Sequence, residues 1–174
     1  MKNANYLIIS LLLFGCSEPS GTQTNDEPSA LTTFILVRHA EKADDGTPDP
    51  PLSDVGKARA DLLASMLAKE NISTIYSTPY KRTRATVQPT ATRLEKEVIE
   101  YDPQRSFAEL LEDLLQKHNG GTVLICGHSN TIPGMVNELV GSEKYEQLRE
   151  DDYSNLFVLT TAKLGSAKVL LLTF

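Results

Sequence analysis

The chain has 174 residues, 40% of them hydrophobic and 23% charged, with a formal net charge of −6 and a pI near 5.1. That length suits one domain, and the composition excludes a wholly disordered chain. The two cysteines are too few for a disulfide scaffold, and the acidic balance argues against a nucleic-acid binder. The longest apolar run, Tyr6 to Gly15, falls short of the ~20 residues a membrane-spanning helix needs.

That run has instead the length of a secretory signal core, with Lys2 and the amino terminus as its positive end. It stops at Leu13-Phe14-Gly15-Cys16, which resembles a bacterial lipoprotein signal, in which a small residue precedes the cysteine that is lipidated. The expectation is a cleaved signal over residues 1–15, a lipid on Cys16 and an extracytoplasmic protein whose membrane contact is that lipid alone. From Ser17 to Ser29 no aliphatic or aromatic residue occurs, so residues 16–30 read as a tether with too little apolar surface to offset the entropy of ordering. The domain is then residues 31–174. Its one cysteine, Cys126, sits in an apolar run and is expected to be buried and inert.

Within the domain, short apolar runs alternate with segments of helical period. Phe34 to Val37 reads as a buried strand, and Ala43 to Pro51, rich in Asp, Gly and Pro, as a loop. Ser53 can cap a helix on which Ala58, Leu62, Leu63, Met66 and Leu67 recur at helical spacing. Ile72 to Tyr76 is a second strand. Pro79 can open a helix that Pro89 must kink or divide. Val98 to Tyr101 is a third strand, and Phe107, Leu110, Leu111, Leu114 and Leu115 mark a helix ended by Asn119-Gly120-Gly121. Thr122 to Cys126 is a fourth strand, followed by a helix over Ile132 to Val140. Asn155 to Thr160 and Lys168 to Thr173 close the chain, joined by a link too short for a parallel crossover. The alternation predicts an α/β fold, a three-layer sandwich with a mainly parallel mixed sheet and helices on both faces.

Ligands in such folds sit beyond the carboxyl ends of the strands. There the sequence places Arg38-His39-Ala40-Glu41, then Ser77-Thr78-Pro79-Tyr80-Lys81-Arg82, then Gly127-His128-Ser129. Two histidines and two arginines at strand ends of an acidic protein suit an anion with several oxygens. Arginine offers a planar fork to phosphate, and imidazole can attack phosphorus. Lys81 and Arg84 read as a solvated basic face, and Glu41 as a group orienting the first loop.

These segments resemble, in order, the motifs of the histidine phosphatase superfamily, the phosphoglycerate-mutase-like phosphatases. Arg38-His39-Ala40-Glu41 is similar to its signature, Leu52 to Ala60 to its helix start, Tyr76 to Thr86 to its second arginine segment, and Gly127-His128-Ser129 to its second histidine segment. The resemblance implies that His39 is the nucleophile, that Arg38, Arg82 and His128 hold the phosphate, and that Ser129 either donates to it or caps a helix. It implies no metal and no cofactor. It implies a general acid after the second arginine, for which Glu109 leads, Asp102 is the rival, and neither is the remaining alternative. The loop Asp44 to Pro48 departs from the mutase pattern. The expected function is therefore a phosphomonoesterase acting on a small phosphorylated substrate as a monomer. A protein phosphohistidine phosphatase and a non-catalytic phosphate-binding lipoprotein are the alternatives.

Overall fold

The computed structural model describes residues 30–174. The expected signal, the lipidated Cys16 and the tether to Ser29 lie outside the described residues. The described part orders as β1 (Thr32–Arg38), α1 (Asp54–Met66), β2 (Thr74–Ser77), α2 (Lys81–Arg93), β3 (Val98–Glu100), α3 (Phe107–Lys117), β4 (Thr122–Gly127), α4 (Thr131–Val140), β5 (Asn155–Thr161) and β6 (Lys168–Thr173). The six strands form one sheet in the order β3-β2-β4-β1-β5-β6. β1 to β4 run parallel, while β5 is antiparallel to β1 and β6 antiparallel to β5. The closing hairpin and the mixed sheet are thus as the sequence predicts.

Strand alternation decides the layers. On β1, Phe34 and Leu36 face one way with Val123 and Ile125 of β4, and pack on Leu110, Leu111 and Leu114 of α3 and Ile132, Met135 and Leu139 of α4. Ile35 and Val37 face the other way with Leu124 and Cys126, and pack on Leu63 and Leu67 of the α1 region and Val87 and Ala91 of α2. Two apolar cores therefore sandwich one sheet, since a central parallel strand must be covered on both faces. Cys126 is fully buried, and burial pushes its thiol well above the usual range, which leaves it inert.

Two expectations are corrected. The buried face of α1 is Gly56, Ala60, Leu63 and Ala64, whereas Leu62 and Met66 are 47% and 39% exposed. Leu63 and Leu67 of the expected set are buried, whereas Ala58, Leu62 and Met66 are not. Close approach is what selects this face: a Cβ on Gly56 would collide with the Glu41 carbonyl, and Ala60 packs on Ala40 and Leu52. Ser53 does cap the helix, its hydroxyl accepting from the Gly56 N–H at 3.1 Å. The second correction is to half of an alternative: Pro89, expected to kink or divide its helix, lies inside α2 without dividing it. One missing N–H removes one helical hydrogen bond, and burial of Val87, Thr90 and Ala91 on either side of the proline offsets that loss. α4 ends as expected of a short helix, with Gly141 in the left-handed region at φ 74°.

Candidate active site

Because β1, β2 and β4 are parallel neighbours, their carboxyl ends deliver Arg38-His39, Ser77-Thr78 and Gly127-His128 to one edge of the sheet. The antiparallel β5 starts at that same edge, so the segment before it, Arg149 to Tyr153, hangs over the end of β1. A cavity of about 310 Å³ opens there. It is lined by Arg38, His39, Arg82, His128 and Ser129 of the predicted set, together with Lys42, Tyr80, Gln104, Asn130 and Glu150. This volume lies at the small end of ligand pockets.

The His39 side chain is nearly buried, and its Nδ1 lies 2.8 Å from the Ala40 carbonyl. A carbonyl only accepts, so Nδ1 carries the proton and Nε2 keeps its lone pair. The orienting carbonyl is itself fixed, because the Ala40 N–H donates to Thr86 Oγ1 at 2.9 Å and that hydroxyl donates to the Arg82 carbonyl at 2.8 Å. His39 and His128 stand with ring centroids 5.5 Å apart. Burial, helped by the charges of Arg82, Arg38 and His128 and opposed by the Ala40 hydrogen bond, pushes His39 down to about 3. Burial with the same two arginines pushes His128 down to about 4. Both imidazoles are therefore neutral at physiological pH.

Arg38 is 2% exposed. Its Nη1 donates to the backbone carbonyls of Arg149 at 2.6 Å and Asp152 at 2.9 Å, and its guanidinium stacks 4.2 Å from the Tyr153 ring. Arg82 stacks 4.6 Å from the Tyr80 ring and reaches Asp49 at 3.5 Å. Asp49 also accepts from the Lys81 N–H at 3.1 Å, which caps α2 from the loop before it. Each arginine keeps a buried Nε–H without a protein acceptor. Two confined cations with donors to spare favour an anion of several oxygens.

The remaining sequence candidates fall elsewhere. Glu109 is exposed on α3 and is not among the residues lining the cavity. Asp102 is exposed and accepts from the Gln104 N–H of its own turn at 2.9 Å. Glu41 pairs with Arg59 at 2.7 Å, which suits the loop-orienting reading. Arg84 pairs with Glu100 on the surface. Sequence reasoning missed Tyr80, Thr86 and Tyr153, and it missed Glu150, the carboxylate that does line the cavity, 3.6 Å from Arg38. The antiparallel pairing of β5 was the available signal for what lies beside β1. Among the described residues no cluster of His, Cys, Asp and Glu suits a metal ion.

Residues 34–109 match the family model of the histidine phosphatase superfamily, branch 1. The chain carries a histidine phosphatase superfamily domain. It is 42% identical over 100 residues to phosphoserine phosphatase 1 of Hydrogenobacter thermophilus, covering 51% of this chain and 47% of that protein. The chain thus matches about half the length of this curated relative. Among solved structures, the protein histidine phosphatase SixA complexed with tungstate superposes with a TM-score of 0.68 at 19% identity, covering 81% of this chain and 96% of that one. A mycobacterial glucosyl-3-phosphoglycerate phosphatase superposes with a TM-score of 0.65 at 15% identity, covering 83% and 98%. At these identities the two structures establish the shared fold. They agree with the α/β sandwich, with its mainly parallel sheet, that the sequence predicts.

Proposed function

We propose that this histidine phosphatase domain is a phosphomonoesterase that cleaves a small phosphate ester through a phosphohistidine at His39. One observation carries the reading. The Nδ1 proton of His39 is committed to the Ala40 carbonyl, so Nε2 enters the same cavity as Arg38, Arg82 and His128 as a free lone pair. In the first step Nε2 attacks phosphorus in line, the N–P bond forms, the P–O bond to the alcohol breaks, and the departing oxygen takes a proton from water at the open rim. Arg38 and Arg82 stabilise the charge on the equatorial oxygens. In the second step water attacks phosphorus, the N–P bond breaks and phosphate leaves. The relative named as a phosphoserine phosphatase supports a small substrate.

The rim narrows the leaving group. Lys42 and Glu150 line the cavity with one charge of each sign, and Gln104 and Asn130 add neutral hydrogen-bonding groups. An alcohol bearing charged groups fits this rim better than an alkyl chain does. The test is a panel of esters assayed on the full chain with a chelator present: a chromogenic aryl phosphate, O-phosphoserine, 3-phosphoglycerate, a neutral alkyl phosphate and a phosphohistidine protein. Turnover is expected on the aryl ester, and on the charged small esters ahead of the alkyl one. A fastest rate on the phosphohistidine protein would replace the substrate class. Phosphate binding without turnover of any member would make the protein a binding module.

The setting of this activity rests on the segment Tyr6 to Cys16, which supports a lipid-anchored protein outside the cytoplasm. A fatty-acid label is expected to enter the full chain expressed in bacteria and to be lost in Cys16→Ala. Equal labelling of both chains removes the anchor from the proposal.

A further inference from the structure

Two buried hydroxyl groups, Thr78 in the turn before α2 and Thr83 on α2, form a hydrogen-bonded chain that ends on His128. Thr78 and Thr83 are fully buried. Thr83 Oγ1 lies 2.9 Å from the Thr78 carbonyl and 2.9 Å from the Tyr80 carbonyl. It also lies 2.9 Å from Thr78 Oγ1, which in turn lies 3.0 Å from His128 Nε2.

These contacts leave one arrangement of protons. Both carbonyls only accept, so the single Thr83 proton goes to them. The Thr78 hydroxyl must then donate to Thr83 Oγ1, because the reverse would set lone pairs against each other in a buried site. With its proton committed, Thr78 Oγ1 can only accept from His128, so Nε2 carries hydrogen. The ring nitrogen left for a ligand is Nδ1, and on a neutral ring it is bare.

We propose that Thr78 and Thr83 are positioning residues for phosphate binding: their hydroxyls commit His128 to the Nε2–H tautomer, so that Nδ1 is the atom that takes up a proton as a phosphate dianion enters. This rests on the reading of the cavity as a phosphate site. The charged and titratable groups sharing the cavity with His128 are Arg38, His39, Lys42, Arg82 and Glu150, with the Tyr80 ring edge-on at 5.1 Å. Burial first, and the charges of Arg82 and Arg38 with it, keep the ring neutral before binding, as its low value of about 4 reflects, and a dianion set among those charges favours the imidazolium against both. The imidazolium then donates from both nitrogens, Nε2 to Thr78 and Nδ1 to phosphate. Binding above the free value of His128 therefore consumes a proton, and affinity falls where the bound imidazolium loses it.

The first test needs no variant. Nitrogen-15 spectra of histidine-labelled full-length chain should show His128 protonated on Nε2 without phosphate and on both nitrogens with inorganic phosphate. A free protein with the proton on Nδ1 overturns the proposal, whether or not the protein turns over any ester. The second test is calorimetry with inorganic phosphate in buffers of different ionisation enthalpy. Thr78→Val, of nearly the same shape, should bind phosphate about tenfold more weakly and take up less than half the protons of the wild type. The alkaline limb of its binding curve should move to lower pH, because the imidazolium has lost its acceptor. Thr78→Ser should restore all three. Unchanged affinity and proton uptake in Thr78→Val, or a Thr78→Ser that fails equally, overturns the assignment, since the first removes the hydrogen bond and the second keeps it.

Discussion

His39→Ala is expected to lower kcat on a chromogenic phosphate ester by on the order of 10⁴-fold or more, the scale on which a covalent nucleophile is lost. The reason is local. Nε2 of this residue is the ring nitrogen whose lone pair the Ala40 hydrogen bond leaves open inside the cavity. His128 offers no substitute, since its Nε2 is engaged by Thr78 and its Nδ1, on the proposal above, takes up a proton as the phosphate enters. The imidazole is 5% exposed, so truncation also opens a space in the cavity. His39→Gln, closer in size, separates that effect from the chemistry and should be as inactive. Both variants keep Arg38 and Arg82 and should still bind inorganic phosphate. Wild type quenched during turnover should carry a label that is labile to acid and stable to base, and neither variant should carry it. Residual activity above about a hundredth of wild type in both variants would mean that another group or a water makes the attack.

Arg38→Lys should cost roughly 10²-fold in kcat/KM, although it conserves charge. Arg38 performs two tasks at once. Its Nη1 holds the carbonyls of Arg149 and Asp152, while its buried Nε has no protein acceptor and the residue lines the cavity. An ammonium is a point charge and cannot span both sets of acceptors. Truncating one partner of a buried charged contact typically costs ~2–5 kcal/mol, and a lysine that still reaches one set should fall at the lower end. The loss should appear in KM as well as kcat, because ground state and transition state both carry the phosphate. The segment Arg149 to Tyr153 should become more susceptible to proteolysis, since Nη1 supplies hydrogen bonds that hold it. A variant within threefold of wild type on both counts would show that the fork is dispensable.

The strands and the cations and histidines that gather at their ends were legible for the same reason. Short apolar runs flanked by turn residues locate β1, β2, β4, β5 and β6, and in a parallel sheet the residues after those runs meet at one edge whatever the intervening sequence does. Arg38, His39, Arg82, His128 and Ser129 all line the cavity for that reason. Less of the support around them could be read. Thr78, Thr83 and Thr86 are ordinary threonines until the turn and α2 fold them inward against carbonyls and a ring nitrogen. The buried stripe of α1 was misread because hydrophobicity favours Leu62 and Met66, whereas contact with the Glu41 carbonyl and with Ala40 favours Gly56 and Ala60. Glu109 has the spacing in sequence of a carboxylate at the site but stands exposed on α3, outside the cavity lining. Glu150 reaches the cavity through a β5 that runs against its neighbour, a property of pairing that no single segment encodes.

The grip of Arg38 on the segment before β5 has a bearing on how such a protein can change. The side chain holds the carbonyls of residues 149 and 152, groups that every amino acid supplies identically. Replacing Arg149, Glu150, Asp151 or Asp152 alters what the rim presents to an alcohol without cutting the tether beneath it. Drift at the rim is thereby insulated from Arg38 and His39 beneath it, and one cavity floor can serve descendants whose rims differ.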